Sequence, residues 1–256
     1  MELLVLTGPK QGPDSEPTKI DGITYLRTPS PDEGGPSGIF GQLQTIRLLR
    51  RKIRQLIAEQ PVDLMHVHSP CLNGLAALGL GVPVVYEMRS SWEDAAVSVG
   101  TTSEGSLRYR LSRLLETYVV RRADATVVIC EGLRDELIAR GVPQEKITVV
   151  PNALPEDMFE RATQAEIAEA RARYGLDGKQ VIGFFGSFFE WEGVADLVAV
   201  LPAIIERVPG VHLLLAGGGR QEHDLRGMVD KLQLQNRVSF TGRVPHGEIR
   251  ALYGVV

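Results

Sequence analysis

The chain has 256 residues, of which 43% are hydrophobic and 23% are charged, and its formal net charge is -4. This balance excludes intrinsic disorder, which requires low hydrophobicity and high net charge. It also argues against a nucleic-acid partner, because nucleic-acid phosphates bind proteins that carry a strong basic surplus.

Nine short apolar runs are predicted to form β-strands. Most are continuous runs of Val, Ile and Leu, a pattern typical of parallel strands that are covered on both faces. In chain order the predicted strands are residues 3–6, 23–26, 64–67, 84–87, 126–129, 148–150, 181–185, 212–216 and 238–240.

Seven amphipathic segments between these runs are predicted to form helices. Strands that alternate with helices indicate an α/β fold with doubly wound parallel sheets. The predicted helices are residues 42–59, 107–121, 133–140, 165–173, 194–207, 222–232 and 248–252. No apolar run approaches the ~20 residues of a membrane-spanning helix.

A domain boundary is predicted at Pro151-Asn152, where turn residues end a strand. We therefore expect an N-terminal domain over 1–152, a linker over 153–178 and a second domain over 179–256. Open α/β sheets bind ligands at the carboxyl ends of their strands, so candidate site residues are sought there. The cysteines, Cys71 and Cys130, have no metal-ligand spacing and are predicted to be reduced, buried thiols of a cytoplasmic protein.

Glycines follow the three strands of the predicted second domain. A glycine at a strand end lets a ligand approach the backbone, and the next helix offers free N–H groups that suit a phosphate. The Walker A lysine and the third glycine of the dinucleotide fingerprint are missing, so a diphosphate held by amides and Arg220 is favoured over a nicotinamide cofactor. Ordinary turns remain the alternative. The glycine-rich turns are Gly186-Ser187, Gly217-Gly218-Gly219-Arg220 and Gly242-Arg243-Val244.

The predicted first domain carries polar groups at two strand ends. His66 and His68 share one face of a strand, but no third ligand lies nearby in sequence, so no metal site is predicted. The next strand leads into a polar loop that continues to Gly105. Polar groups in loops at strand ends are often functional, and the sequence leaves open which of them acts as acid, base or hydroxyl ligand. The candidates for these roles are Glu87, Glu93 and Asp94, and Arg89 and Trp92 lie in the same polar stretch.

The helix predicted over 42–59 carries a basic stripe beside an apolar face. Four arginines fall within an arc of roughly 100°, next to Leu49 and Ile53. A solvated helix face over the core is the commoner meaning of such a pattern, and peripheral contact with an anionic inner membrane is the alternative. The arginines are Arg47, Arg50, Arg51 and Arg54.

Taken together, these segments resemble a GT-B glycosyltransferase of the family-four type, nearest to the subfamily associated with bacterial exosortase (PEP-CTERM) systems. The run YEMRSSWEDAAV at 86–97 is the most specific part of the resemblance. The other resembling stretches are residues 68–73, 100–110, 129–134, 150–153, 186–193 and 240–246.

The resemblance implies two Rossmann-like domains and a retaining, metal-independent transfer of sugar from a nucleotide diphosphate donor to a glycan or lipid-linked acceptor, in exopolysaccharide biosynthesis. No cofactor is implied. His68 and Arg89 would face the reacting groups, with Glu87, Trp92, Glu93 and Asp94 on the acceptor side. Gly186, Ser187, Gly219 and Arg220 would meet the diphosphate, and Gly242, Arg243 and Val244 the base.

The chain departs from this family pattern in several places. Ser187 and Glu192 stand where many relatives have arginine and lysine, and Arg89 stands where many have histidine. The family's opening strand and its C-terminal glutamate motif are not in this sequence, so we expect a truncated, largely inactive chain with an incomplete second domain. A nucleotide-sugar epimerase and a non-catalytic nucleotide-binding remnant are the alternatives.

Overall fold

The computed structural model describes residues 2–8, 16–28, 38–154 and 156–256. The chain divides into two compact units, Met1–Asn152 and Ala153–Val256. Within the described residues, each of the nine predicted strands and seven predicted helices is present, and the predicted α/β class with parallel sheets is confirmed.

The first unit contains two sheets. Strands β1 (Leu4–Thr7), β2 (Thr18–Ile20) and β3 (Ile23–Arg27) form one sheet in the order β1-β3-β2. Strand β2, which was not predicted from the sequence, pairs antiparallel with β3 across Asp21-Gly22. Both turn residues have positive φ, at 49° and 81°, as a two-residue hairpin of this kind requires, so the Asp-Gly pair was the overlooked signal.

The second sheet of this unit is fully parallel, in the order β4-β5-β6-β7. One of its faces packs on a core that includes Tyr86, Met88, Val119 and Leu137. In chain order the elements are α1 (Gly38–Glu59), β4 (Met65–His68), α2 (Cys71–Ala77), β5 (Val84–Met88), α3 (Trp92–Ser98), α4 (Leu107–Arg122), β6 (Ala125–Val128), α5 (Glu131–Ala139) and β7 (Ile147–Val149).

The second unit is a three-stranded parallel sheet with helices on both faces. Alternate residues of its central strand point into two separate cores, Leu213 and Leu215 into one and Leu214 into the other. The elements are α6 (Gln164–Tyr174), β8 (Gln180–Ser187), α7 (Val194–Arg207), β9 (Val211–Gly218), α8 (Glu222–Lys231), β10 (Val238–Gly242) and α9 (His246–Gly254), with sheet order β10-β9-β8.

The segment 153–178, expected to be a linker, contains a structural helix of this second unit. A capping box between Thr163 and Glu166 begins α6, and Gly175 ends it in the left-handed conformation. Ala170 and Leu176 are buried in the same core as Leu214. The expectation of a linker over this range is therefore wrong, because the helix buries apolar side chains against the sheet.

Two sequence expectations concern the environment of the chain. Among the described helices, none is long and apolar enough to cross a bilayer.

The cysteines differ from each other: Cys71 is buried, whereas Cys130 is exposed, so the prediction of two buried thiols is wrong for Cys130. Burial, reinforced by the neighbouring Glu116, raises the pKa of Cys71 to about 12.

His212 is a buried titratable group in the second unit. Its Nε2 lies 2.9 Å from Ser239 Oγ, and its Nδ1 lies 3.3 Å from Lys179 Nζ. Because an ammonium group only donates, Nδ1 accepts from Lys179 and Nε2 carries the ring proton. Burial and the charges of Lys179 and Arg237 lower the pKa of His212 to about 4.

Protein stability should fall as the pH drops below 6.5, because unfolded His212 takes up a proton there while the folded side chain stays neutral until about pH 4. The contribution lost by pH 4.5 is about 2–3 kcal/mol. His212→Gln should remove this part of the pH dependence, measured by urea unfolding at pH 7 and pH 4.5. His223→Gln, on an exposed histidine of α8, should keep it; equal behaviour of the two variants would contradict the assignment.

Candidate functional site

The glycine-rich turns of the second unit meet at one edge of its sheet. The parallel register pairs Gly186 with Gly217 and Ser187 with Gly218, and it places Gly242 opposite Ala216. Gly219 and Arg220 follow β9 directly, and Arg243 and Val244 follow β10. The structure thus brings the three predicted turns together; we call this the glycine edge, made of residues 186–187, 217–220 and 242–244.

Two of these glycines are required by close backbone packing. A Cβ on Gly217, whose φ is 138°, would lie 1.9 Å from the carbonyl oxygen of Gly186. A Cβ on Gly219 would lie 2.6 Å from both the backbone N and O of Phe188. The space beside Gly219 is therefore filled by the chain itself, whereas nothing lies within 4 Å of the corresponding position on Gly242.

Phe188 fixes the turn that follows β8. Its side chain is fully buried and contacts the rings of Phe184 and Phe240, at centroid distances of 6.0 and 6.3 Å. Its backbone N–H donates to Gly218 O at 3.2 Å, and its carbonyl accepts from Gln221 N at 3.1 Å. Two backbone hydrogen bonds thus join the turn after β8 to the turn after β9, and they do not depend on a ligand.

Two arginines supply positive charge at the glycine edge. Arg220 and Arg243 are exposed, and neither forms a side-chain ion pair within the part of the chain that the structure describes. Arg226, by contrast, pairs with Glu222 and lies 4.2 Å above the Phe240 ring. Since α8 begins with the acids Glu222 and Asp224, its N-terminus is a poorer anion site than sequence analysis assumed.

Val244 contributes to this edge through its backbone. Its side chain packs against the core that contains Leu214 and Leu252. Ser187 and Gly186 are exposed at the end of β8. The glycine edge therefore offers backbone groups, one hydroxyl and two arginines, a set of donors suited to an anionic ligand such as a diphosphate.

A second polar cluster lies in the first unit, around Glu87. Its carboxylate lies 2.9 Å from His66 Nε2, 3.5 Å from His68 Nδ1 and 3.7 Å from Arg89 Nη1. The parallel register that places His68 opposite Glu87 creates this contact. We call this group, His66, His68, Glu87 and Arg89, the histidine cluster; it joins three predicted site residues to His66.

Asn152 also belongs with this cluster, although sequence analysis assigned it no role. Its Oδ1 accepts from Arg89 Nη2 at 2.9 Å. Asn152 follows the last strand of the same parallel sheet, so the rule that such strands end at one edge was the available signal. Arg89 is thus held by Glu87 on one side and by Asn152 on the other.

The histidine cluster also has the composition of a metal-binding site. Ligand atoms of His66, His68 and Glu87 all lie within 4.8 Å of one another. The third ligand, Glu87, is not close to the histidines in sequence, because it lies on the neighbouring strand, 19 positions after His68. Two imidazoles and a carboxylate are ligands that zinc accepts, and the absence of a metal requirement stays a prediction.

The segment after β5 was predicted to be a polar loop, and this prediction is wrong for α3. Glu93 is only 1% exposed, and its Oε1 lies 2.5 Å from Arg140 Nη2. Asp94 accepts from the Tyr109 hydroxyl at 2.8 Å. Through Arg140 and Tyr109 these carboxylates hold α3 against α5 and α4. The buried Glu93 therefore has a structural role instead of the predicted ligand-binding one. Trp92 remains exposed at the start of α3.

The basic stripe on α1 also differs from its prediction. Arg50 donates to the carbonyl oxygens of Ala76 and Leu78, at 3.1 and 2.8 Å, where α2 ends. Arg47, Arg51 and Arg54 are exposed, whereas the apolar face that includes Leu49 and Ile53 packs toward the core. Arg50 is therefore engaged within the unit rather than available to a surface.

Glu93→Gln should lower the free energy of unfolding by about 2–4 kcal/mol, because it leaves the buried Arg140 with Glu136 as its remaining partner. Urea denaturation measures this change. Glu131→Gln, which breaks an exposed pair with Arg134, should cost less than about 1 kcal/mol. If Glu93→Gln left the free energy of unfolding unchanged but abolished ligand binding, Glu93 would be a ligand-binding residue.

Both units match glycosyltransferase families. Residues 1–153 match the family described as "Glycosyl transferase 4-like domain", and residues 166–254 match the family described as "Glycosyl transferases group 1". The two matches correspond to the two compact units of the structure.

Curated relatives from Streptomyces kanamyceticus are similar to the chain. 2-Deoxystreptamine glucosyltransferase is 30% identical over 201 residues, which cover 75% of this chain and 51% of the relative. Alpha-D-kanosaminyltransferase is 26% identical over 237 residues, which cover 88% of this chain and 59% of the relative. The chain thus spans between half and three-fifths of the length of these two proteins.

Solved structures share the fold. Sucrose-phosphate synthase from Thermosynechococcus elongatus aligns with a TM-score of 0.74 at 18% identity, over 99% of this chain and 63% of that one. Anabaena HepE in complex with UDP-glucose aligns with a TM-score of 0.67 at 20% identity, over 91% of this chain and 58% of HepE. At these identities the likeness shows the fold alone.

Proposed function

Because the chain belongs to the glycosyl transferase 4-like family, we propose that it takes part in moving a sugar from a nucleotide diphosphate donor to a hydroxyl acceptor. The observation that carries this proposal is the glycine edge. Three glycine-rich strand ends and two exposed arginines, which form no ion pair with the described residues, converge there. Hydrogen bonds hold the turns after β8 and β9 together.

The glycine edge suits the donor diphosphate. In sugar transfer, negative charge builds on the departing diphosphate, and fixed donors aimed at that charge lower the barrier most. Arg220, Ser187 and the backbone of Gly186 and Gly219 would meet the diphosphate, and Gly242 to Val244 the base. Since Glu192 supplies no positive charge, leaving-group stabilisation would depend on Arg220 and the backbone amides.

The histidine cluster suits the acceptor side and the reacting sugar. Arg89 has a side chain oriented by Glu87 and Asn152, and His68 lies beside the same carboxylate. A group held on two sides loses little conformational entropy when a ligand binds, which favours precise positioning. We assign Arg89 and His68 to contact with the reacting groups, and Glu87 to their orientation.

Finer features of the function rest on the family resemblance. They comprise a retaining mechanism without metal or cofactor, a glycan or lipid-linked acceptor, and a cytoplasmic role in bacterial exopolysaccharide biosynthesis linked to an exosortase system. A nucleotide-sugar epimerase is not favoured, because both matching families are glycosyltransferase families.

Arg220→Gln should weaken nucleotide diphosphate binding by about ten- to a hundredfold, because a charge-assisted hydrogen bond to phosphate contributes roughly 1.5–3 kcal/mol. Calorimetric titration with UDP, GDP and ADP measures this, and EDTA should leave the affinity unchanged.

The matched control is Arg207→Gln. Arg207 is an exposed arginine that ends α7, so it lies away from the carboxyl ends of the strands. This variant should bind like the parent. Failure of all three diphosphates to bind, or equal affinities of the Arg220 and Arg207 variants, would refute the assignment of the glycine edge.

A further inference from the structure

Helix α4 presents an apolar stripe to solvent. Four large side chains, spaced four, three and four residues apart, lie along one side of the helix. Their exposed fractions are 84% for Leu107, 53% for Leu111, 67% for Leu114 and 52% for Tyr118. We call these four residues the α4 face.

The α4 face is separate from the side of the helix that builds the core. Tyr109, Glu116, Val119 and Val120 are buried on that other side. The helix therefore has two apolar sides, and the packing of the unit uses one of them. Large apolar side chains that line up in the open mark a surface that contacts an apolar phase or a partner.

Arginines surround the α4 face. At about 100° per residue, Arg110 and Arg121 flank it on one side and Arg122 on the other. Arg108 and Arg113 are exposed on the same helix. Its single acid, Glu116, is buried and accepts hydrogen bonds from the Tyr86 hydroxyl and Cys71 N. The exposed charge of α4 is thus entirely positive.

We infer that the α4 face lies on an anionic lipid bilayer, with its leucines among the acyl chains and its arginines at the lipid phosphates. An apolar stripe bordered by arginines is the composition of a helix that lies in a membrane interface. A second copy of the chain fits less well, because a symmetric contact would bring two sets of arginines together. This inference does not depend on donor binding.

Helix α1, where the sequence predicted membrane contact, exposes less apolar surface than α4. Among its side chains that the structure describes, the large exposed apolar ones are Phe40 and Leu43, both in its first two turns. They lie on the same side of the helix as Arg47 and Arg51, but no large apolar side chain is exposed along the turns that carry these arginines. Helix α1 therefore supplies charge-matched control variants.

The test is flotation of the 256-residue chain with vesicles of phosphatidylcholine alone or with 30 mol% phosphatidylglycerol. The parent should float with the anionic vesicles and not with the neutral ones. The triple variant Leu107→Gln, Leu111→Gln and Leu114→Gln should lose at least tenfold in partitioning, with an unchanged thermal midpoint because these positions are outside the core.

The arginines are tested as matched pairs. Arg110→Gln with Arg122→Gln should weaken binding to anionic vesicles at least tenfold, since each basic residue near such a surface adds attraction. Arg47→Gln with Arg51→Gln removes the same charge from α1 and should change binding less than twofold.

Three results would overturn the inference. The first is a parent chain that fails to float with anionic vesicles. Light scattering would then show whether the chain stays monomeric or whether the α4 face is instead a contact between two copies. The second is a leucine variant that floats like the parent. The third is an α1 pair that loses as much binding as the α4 pair, which would move the contact to α1.

Discussion

The parallel register of β8, β9 and β10 is the constraint on which the candidate donor site depends. It brings Gly217 so close to the Gly186 carbonyl that no side chain fits between them, and Gly219 meets the Phe188 backbone in the same way. The strand ends can approach each other only because both positions are glycine. A ligand that binds there would meet a surface already held in its final shape, which lowers the entropy cost of binding.

The first unit uses its charged residues in two different ways. Glu93 and Arg140 are buried and pair with each other, so they fix α3 on α5 and face no solvent. His66, His68 and Arg89 are about half exposed around Glu87, so their side chains remain available to a ligand. Burial therefore separates the charged side chains that build the fold from those that remain available to a ligand, a distinction that residue type alone does not make.

The α/β architecture was predictable because buried parallel strands have an unmistakable composition. The continuous apolar run at 213–216 lies inside β9, and the glycines after it identified the candidate site. The sequence alone did not show which side chains meet across neighbouring strands. Glu87 contacts His66 and His68 because β4 and β5 are paired. Asn152 follows the last strand of the same sheet, and the rule that parallel strands end at one edge places it near Arg89 but does not predict their hydrogen bond.

Helices were harder to interpret than strands for a physical reason. Helix α3 begins with Trp92 and two acids and lacks the apolar periodicity that predicts a helix. Its contact with the rest of the unit is an ion pair rather than an apolar face, so no apolar pattern is present in its sequence. Helix α4 was predicted with nearly its observed ends, but it has apolar residues on two sides. Only tertiary packing decides that Val119 and Val120 enter the core and that Leu111 and Leu114 remain outside.

Hydrogen–deuterium exchange with and without saturating UDP shows whether the glycine edge binds a nucleotide diphosphate. We expect slower exchange of backbone amides in residues 185–190, 217–222 and 240–244, and unchanged exchange at the C-terminal ends of α6 and α7. Protection confined to other parts of the chain, or no protection with UDP, GDP or ADP, would contradict the claim that this edge of the second unit binds a nucleotide diphosphate.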